Sequence, residues 1–515
     1  MNYISKIAVA LAMIAASSLA PAPSLAGKAD NTLNVVFPKP IKTIDNLYST
    51  RRENIIASLL VDDALFYVTE SGEAVPLLVK SYKLSSETVL DIELHQGILF
   101  HDGGELTAED VVYSFEFIVN KKAKSRYRSR ISKWMKSVEQ LGPYQVRFTM
   151  KFPYPNVLYD LAYWSKVRKK GTYDAPGTDT GLNPKAQHTT LNGLGPYRVV
   201  DFIPGQKLVI ERFDKYRSNS PKGKPAIRKI VMRNVPELGT QTAELISGGA
   251  DWAYEIPREV AENVAASGRA KFVSGPEMRI GYILLDAAGL AQADGPVTKR
   301  QVRQAMIHSI DRRSLVSNLV GGEAQVIDTF CNPVQFGCDA KVKAYAYDPS
   351  KARALLKEAG YASGFDLTLW AARERPIVEA IVNQWRKVGI RTTLKYVKSS
   401  AQGKARNQKK TVARYHSWGS YGIADAGAIM PIFFAYKSKR NFAKDKKLDA
   451  LLSEAMSTHD REKRKAAFRK ALNIITDEAY VVPLYRYSQN YLISNDLHFV
   501  PSKDGMTRFF EARWK

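Results

Sequence analysis

The side chains best suited to holding a small polar ligand are concentrated in Thr411–Ala426, Thr-Val-Ala-Arg-Tyr-His-Ser-Trp-Gly-Ser-Tyr-Gly-Ile-Ala-Asp-Ala. The first half reads as a β-strand, whose side chains alternate between faces, so Val412, Arg414, His416 and Trp418 fall on one side and Ala413, Tyr415 and Ser417 on the other. A guanidinium, an imidazole and an indole in one row make a poor core and a good binding surface. Gly419 and Gly422 then end the strand, which puts Trp418, Tyr421 and Asp425 at a strand exit, where a rigid scaffold commonly presents ligand contacts. The competing reading is an edge strand with ordinary surface polars. Arg373 and Arg375 follow a second strand at a βα turn, where guanidinium groups can take a carboxylate bidentately. Tyr485, with Arg486 and Tyr487 after it, completes the set of candidate contacts.

Covalent and metal chemistry finds no comparable arrangement. The chain has no phosphate-cradling Gly-x-x-x-x-Gly-Lys-Ser/Thr, and its seven histidines form no His-Glu-x-x-His. Trp418-Gly-Ser420-Tyr-Gly422 approaches a nucleophile elbow but has Trp where the first glycine is needed. His101 and Asp102 are adjacent on a turn, where neighbouring side chains rarely point together, and they read as structural. No catalytic residue, metal ligand or cofactor is expected.

Positioning these contacts falls to a chain of 515 residues, more than one hydrophobic core usually serves, so two or three domains are expected. Met1–Ala26 carries a basic start at Lys6, an apolar run over Ile7–Ala16 and Ser24-Leu25-Ala26 before Gly27, the pattern of a cleavable secretory signal. No cysteine lies near the cleavage point to carry a lipid anchor, and the expected location is the periplasm. The only two cysteines, Cys331 and Cys338, are then expected to form one local disulfide.

The formal net charge is +25, with basic runs at Lys121–Lys136, Lys166–Lys170 and Lys398–Lys410. These lack the aromatic interleaving of a single-strand nucleic-acid platform, and they read as solvated faces rather than a nucleic-acid surface.

Periodicity supplies the framework. Strands are expected at Thr32–Val36 and Val89–Leu94, and helices at Asn54–Leu65 and Ala108–Asn120, the latter capped by Thr107 with Asp110. Phe365–Ala371, Ile377–Val388 and Thr392–Val397 form a βαβ unit, so that region contains parallel sheet. Asp348, Pro349 and Gly360 suit the N-cap, first position and left-handed end of another helix. Helices return over Lys446–Ile475, and a strand pair, Val481–Tyr485 and Tyr491–Ile493, leads back to the first lobe.

Several of these segments also carry a resemblance. Leu94–Glu116, Leu-His-Gln-Gly-Ile-Leu-Phe-His-Asp-Gly-Gly-Glu-Leu-Thr-Ala-Glu-Asp-Val-Val-Tyr-Ser-Phe-Glu, resembles the signature of family 5 extracellular solute-binding proteins, the receptors of peptide-type ABC importers. Gly193–Val199, Pro204-Gly205, Glu211–Tyr216, Gly223–Pro225, Val302–Arg312, Asp348–Tyr361 and Val482–Tyr485 resemble further family motifs in order. The resemblance implies an α/β, two-lobed periplasmic-binding-protein fold with mixed sheets and a small inserted domain, of the dipeptide- and oligopeptide-binding type.

Lobe I would comprise residues 27–58, 193–276 and 494–515, the inserted domain 59–192, and lobe III 277–493. The ligand would be a peptide or peptide-like solute, and the partner a membrane ABC permease with its ATPase, served by a monomer. An opine, an oligosaccharide, or a metal or haem-like complex is the alternative ligand on the same fold, and a secreted hydrolase is the remote alternative. Many peptide-binding members carry an ammonium-holding Asp three residues after the Trp. Here Tyr421 stands at that position, and Asp425 resembles the family's second acid, displaced by one residue.

Overall fold

The computed structural model describes residues 27–174, 182–186, 188, 190–339 and 341–515; residues 1–26, expected from the sequence to be a secretory signal, lie outside them. The chain is organised by an 11-stranded mixed sheet. Its strands run in the order Ile390–Tyr396, Phe365–Ala371, Ala413–Trp418, Lys271–Leu285, Val481–Ile493, Trp252–Tyr254, Thr32–Phe37, Lys229–Asn234, Lys207–Arg212 and Tyr197–Ile203, with Gln325–Val326 paired beside the path.

Two long antiparallel strands pass from one half of this sheet to the other. Lys271–Leu285 and Val481–Ile493 pair with each other along most of their length. The end of the second, Tyr491–Ile493, also pairs with Trp252–Tyr254, whereas the opposite end of the first, Ile280–Leu285, pairs with Ala413–Trp418. The sequence expectation of two separate strands at 481–485 and 491–493 is corrected here to one continuous strand. It stays continuous because the interval Arg486–Asn490 keeps its ladder to the neighbouring strand instead of looping out.

That ladder shifts register twice: between Pro276 and Ile280, where it jumps from Pro276↔Ser488 to Ile280↔Arg486 and Glu277–Arg279 bulge, and again between Gly281↔Tyr485 and Tyr282↔Pro483. A bulge bends a strand and re-aims its side chains.

Local elements follow their sequence signals. The helix Ala108–Val119 starts where the Asp110 carboxylate accepts from the Thr107 backbone N–H at 2.8 Å. Asp348 accepts from Lys351 N–H at 2.8 Å at the head of Pro349–Glu358, and Gly360 closes that helix at φ 86°. Phe365–Ala371 and Ile390–Tyr396 pair in parallel around the helix Arg375–Arg386. That helix begins two residues earlier than periodicity indicates, because Pro376 is compatible with its first turn.

Ala413–Trp418 is an interior strand, flanked by Phe365–Ala371 and Lys271–Leu285, and not an edge. Ala413 and Tyr415 enter the core with Leu369, Trp385 and Leu484, while Trp418 packs on the other face with Ile280, Tyr282 and Phe433. Val412 precedes the strand and packs with the Ala413 side, against expectation.

The stretch between the first main-sheet strand and Tyr197 has its own four-stranded antiparallel sheet, Val79–Ser86, Val89–Leu94, Gln145–Met150 and Met135–Gly142, and an apolar core around Phe115, Trp134 and Phe148. It is fastened to the first half by buried charges. Arg168 donates to Asp62 and, at 3.3 Å, to Asp45, while Lys222 donates to Asp63 at 2.7 Å. The run Lys166–Lys170 is therefore not wholly a solvated face: Lys166 and Arg168 are buried. Burial, with Lys222 nearby, pushes the Lys166 ammonium down to about 7. His101 bridges two segments, with Nε2 3.0 Å from Gly195 O and Nδ1 accepting from Gly193 N–H, and Asp102 pairs with Lys169.

Cys331 and Cys338 form a disulfide. The loop they close supports the turn beyond Trp418: Gln335 Nε2 donates to Ile423 O and Asp425 O, and Asn332 Nδ2 donates to Glu277 O.

Candidate functional site

Two adjoining cavities lie over the crossing strands. The larger, about 650 Å³, is walled on one side by Lys39, Arg51–Glu53 and Glu255, on the other by Arg373 and Glu374, with Tyr487–Asn490 from the crossing strand. The smaller, about 250 Å³, is lined by His416–Ser420, Thr50, Ile55 and Asp504. Arg52, Glu277, Arg279 and Arg373 belong to both. The bulge explains two of these four, since it carries Glu277 and Arg279.

Charge of both signs faces this space, in two conditions. Glu277 is committed: Arg52 donates to it, and so does Arg279 Nε at 3.2 Å. Burial pushes its carboxyl up, but the two guanidinium groups outweigh that and leave it below its ordinary value. Glu255 is paired with Lys39 at 2.7 Å, and Glu53 accepts from the Tyr254 hydroxyl. Among the described residues Arg373, by contrast, donates only to the Ser417 hydroxyl, at 3.1 Å, and Arg279 Nη1 donates to the same oxygen at 3.3 Å. Ser417 thus draws two guanidinium groups together.

Glu374 makes no ion pair among the described residues, and its Oε2 is buried without a hydrogen-bond partner. Burial raises its carboxyl above the ordinary value against the pull of Arg373. Glu255, Glu374 and Ser420 all have left-handed backbones, φ 61°, 50° and 49°. Such conformations cost a non-glycine residue free energy and tend to collect at functional sites.

Of the candidate contacts, His416, Trp418, Arg373 and Tyr487 line the cleft. His416 Nδ1 lies in hydrogen-bond contact with the Tyr282 hydroxyl at 3.3 Å, and burial together with Arg414 holds its imidazole well below its ordinary value, so it is neutral at pH 7. Trp418 carries the Arg440 guanidinium over its ring at 5.2 Å.

The others are placed elsewhere. Asp425 accepts at both oxygens from Arg464 Nη2, at 2.9 and 2.8 Å, and caps Gly427 N–H, so its carboxylate is spent inside the lobe. Tyr485 is fully buried, its hydroxyl 2.7 Å from that of Tyr415. Arg375 points outward to Glu379 and the Tyr396 ring. Arg414 is 2% exposed, outside the cavity walls, with Nη2 unpartnered. Burial lowers its guanidinium to about 9. Tyr421 belongs to the turn Ser420–Gly422, its side chain outside what is described.

Sequence reasoning missed Lys39, Arg51, Arg52, Glu53, Glu255, Glu277, Arg279 and Glu374. Only Glu374 carried a usable signal, being the acid between the two arginines already singled out on the βα turn.

Comparison with known proteins agrees with this architecture. The family model for bacterial extracellular solute-binding proteins, family 5 Middle, matches residues 73–441. The chain is 26% identical over 486 residues to the glutathione-binding protein GsiB of Salmonella typhi, covering 91% of each. It is 27% identical over 434 residues to GsiB of Pectobacterium atrosepticum, covering 81% of this chain and 80% of the relative.

Among solved structures, NikA from Brucella suis in complex with Fe(III)-EDTA superposes with a TM-score of 0.82 at 21% identity, covering 94% of this chain and 100% of that one. DppA from Helicobacter pylori in complex with the peptide STSA gives 0.77 at 22% identity, over 94% and 98%. With the family model spanning most of the chain and the fold shared, the chain belongs to the family 5 bacterial extracellular solute-binding proteins, and it is a binding protein of transport rather than an enzyme.

Proposed function

We propose that this protein captures a short peptide or peptide-like solute between its two lobes and delivers it to a membrane ABC permease with its ATPase. The observation that carries the reading is the cavity of about 650 Å³ over the crossing strands, walled by both lobes and by charges of both signs. A zwitterionic solute needs that, and closing the walls around it would remove water and strengthen each ionic contact.

The hinge is the pair of crossing strands near 277–280 and 486–490, with residues 27–58, 193–276 and 494–515 as lobe I, 59–192 inserted and 277–493 as lobe III. Arg373, His416 and Trp418 contact the solute. Residues 1–26 direct the chain to the periplasm, where it works as a monomer without nucleic acid. The GsiB relatives, named for binding glutathione, support a small peptide as ligand.

A thermal-shift screen over glutathione, dipeptides, longer peptides, opines and sugars tests the reading. A ligand binding only the folded form adds about 2.7 kcal/mol at a hundredfold excess over Kd. Stabilisation by a peptide class, with a smaller scattering radius in its presence, is expected. Stabilisation by sugars or metal complexes alone would overturn the peptide assignment.

A further inference from the structure

We propose that the turn Arg373-Glu374 receives an α-amino-acid headgroup, with ammonium and carboxylate on one carbon: Glu374 takes the ammonium, and Arg373 with Arg279 takes the carboxylate. This deepens the peptide-receptor reading and rests on it.

Four acids line the larger cavity, and three are occupied: Glu277 by Arg52 and Arg279, Glu255 by Lys39, Glu53 by the Tyr254 hydroxyl. Among the described residues Glu374 has no cationic partner, and its Oε2 is buried without a hydrogen bond. Leaving a buried acceptor unsatisfied costs free energy unless a donor arrives. The acid is also held in place. Its φ of 50° sets it at the head of the helix Arg375–Arg386, and the hydroxyls of Tyr415 and Tyr487 hydrogen-bond to its carboxyl group, which leaves Oε2 as the oxygen without a partner.

Arg373, next in the chain, lines the same cavity without an ion pair among the described residues, and Ser417 brings it together with Arg279. Adjacent, unpaired and opposite charges on one turn match opposite charges on one carbon. They match poorly the termini of an ordinary dipeptide, which are several bonds apart. The other acid considered for an ammonium, Asp425, is closed off by Arg464.

The test is calorimetry with three probes: glutathione, whose γ-glutamyl residue carries both groups on one carbon; its N-acetyl derivative; and the dipeptide Met-Leu. Wild type, Glu374→Gln and Arg373→Met are compared, with ligand-free melting confirming that each is folded. Glutathione is expected to bind wild type at least about tenfold more tightly than either other probe. Glu374→Gln should weaken glutathione about ten- to hundredfold and leave N-acetylglutathione unchanged. Arg373→Met should weaken both.

Equal losses for glutathione and N-acetylglutathione in Glu374→Gln would overturn the ammonium assignment, as would no loss for either. Met-Leu binding as tightly as glutathione, and being equally sensitive to Glu374→Gln, would overturn the single-carbon headgroup. Binding of none of the three to folded wild type would overturn the peptide-receptor reading itself. Should Glu374→Gln fail to fold, the wild-type ranking of glutathione against its N-acetyl derivative and the Arg373→Met result decide the matter, and a ranking without an amine preference overturns the proposal.

Discussion

The charges at the seams of this molecule and the charges in its cleft are arranged on opposite principles. At the seams most buried cations have an anion: Arg168 with Asp62 and Asp45, Lys222 with Asp63, Arg464 with Asp425, Arg508 with Asp504, whereas Lys166 has no ion pair among the described residues and answers burial with a lowered ammonium pKa. In the cleft Arg51, Arg373 and Glu374 line the cavity without ion pairs among the described residues. Taking a charge out of water is costly, and a close partner offsets the cost. A charge left unpaired beside a cavity is one whose partner can come from outside. The difference teaches which polar residues to assign to the fold and which to the ligand. Arg414 fits neither set, being buried like a seam cation and unpaired like a cleft one.

The largest effect is expected from breaking a seam. Asp425→Ala strands Arg464 in the interior and should lower the unfolding free energy by about 3–5 kcal/mol, measured by urea denaturation. A loss under about 1 kcal/mol would place Arg464 in water and blur the contrast. Removing the disulfide with Cys331→Ser and Cys338→Ser together should cost about 2–3 kcal/mol by the chain-entropy model. It should also weaken ligand binding, because the closed loop carries Gln335, which holds the turn beyond Trp418.

Arg414→Met sharpens the comparison in the other direction. It removes a buried cation with no ion pair among the described residues, so the variant should be more stable than wild type at pH 7 by about 1 kcal/mol or more. The pH dependence has a definite sign. The Arg414 guanidinium is lowered to about 9 in the folded protein, so the unfolded chain holds its proton more tightly. The penalty is fully present below pH 9, and wild type should gain on the variant as pH rises through 9. A variant less stable than wild type across this range would mean Arg414 has a partner. The smallest stability effect is expected in the cleft: Arg373→Met should stay within about 0.5 kcal/mol of wild type while its affinity for ligand falls.

Much of the framework was legible because its signals are local. Thr107 with Asp110, Asp348 with Pro349 and Gly360, and the βαβ unit around Phe365–Tyr396 each act within a few residues or one hydrophobic period. Strand phase likewise put His416 and Trp418 on one face correctly. The cleft was only half legible because its walls come from segments far apart in the chain.

Glu277 and Arg279 face the cavity through a bulge, and a two-residue period carries no trace of that register jump. Asp425 sits at a strand exit as expected, but Arg464, arriving on the helix Arg461–Asp477, takes its carboxylate. Tyr485 turns inward to the Tyr415 hydroxyl. In each case a tertiary partner decided what a side chain was free to do.

Hydrogen–deuterium exchange with and without a saturating ligand found in the screen tests the central division most directly. Protection should appear at Lys39, Arg51–Glu53, Glu255, Arg373–Glu374 and His416–Ser420, on both walls of the cleft, while exchange around Asp62, Arg168 and Arg464 stays as it was. Protection confined to the separate groove of about 480 Å³ lined by Trp370, Thr393, Lys395 and Lys410, with the cleft walls unchanged, would contradict it.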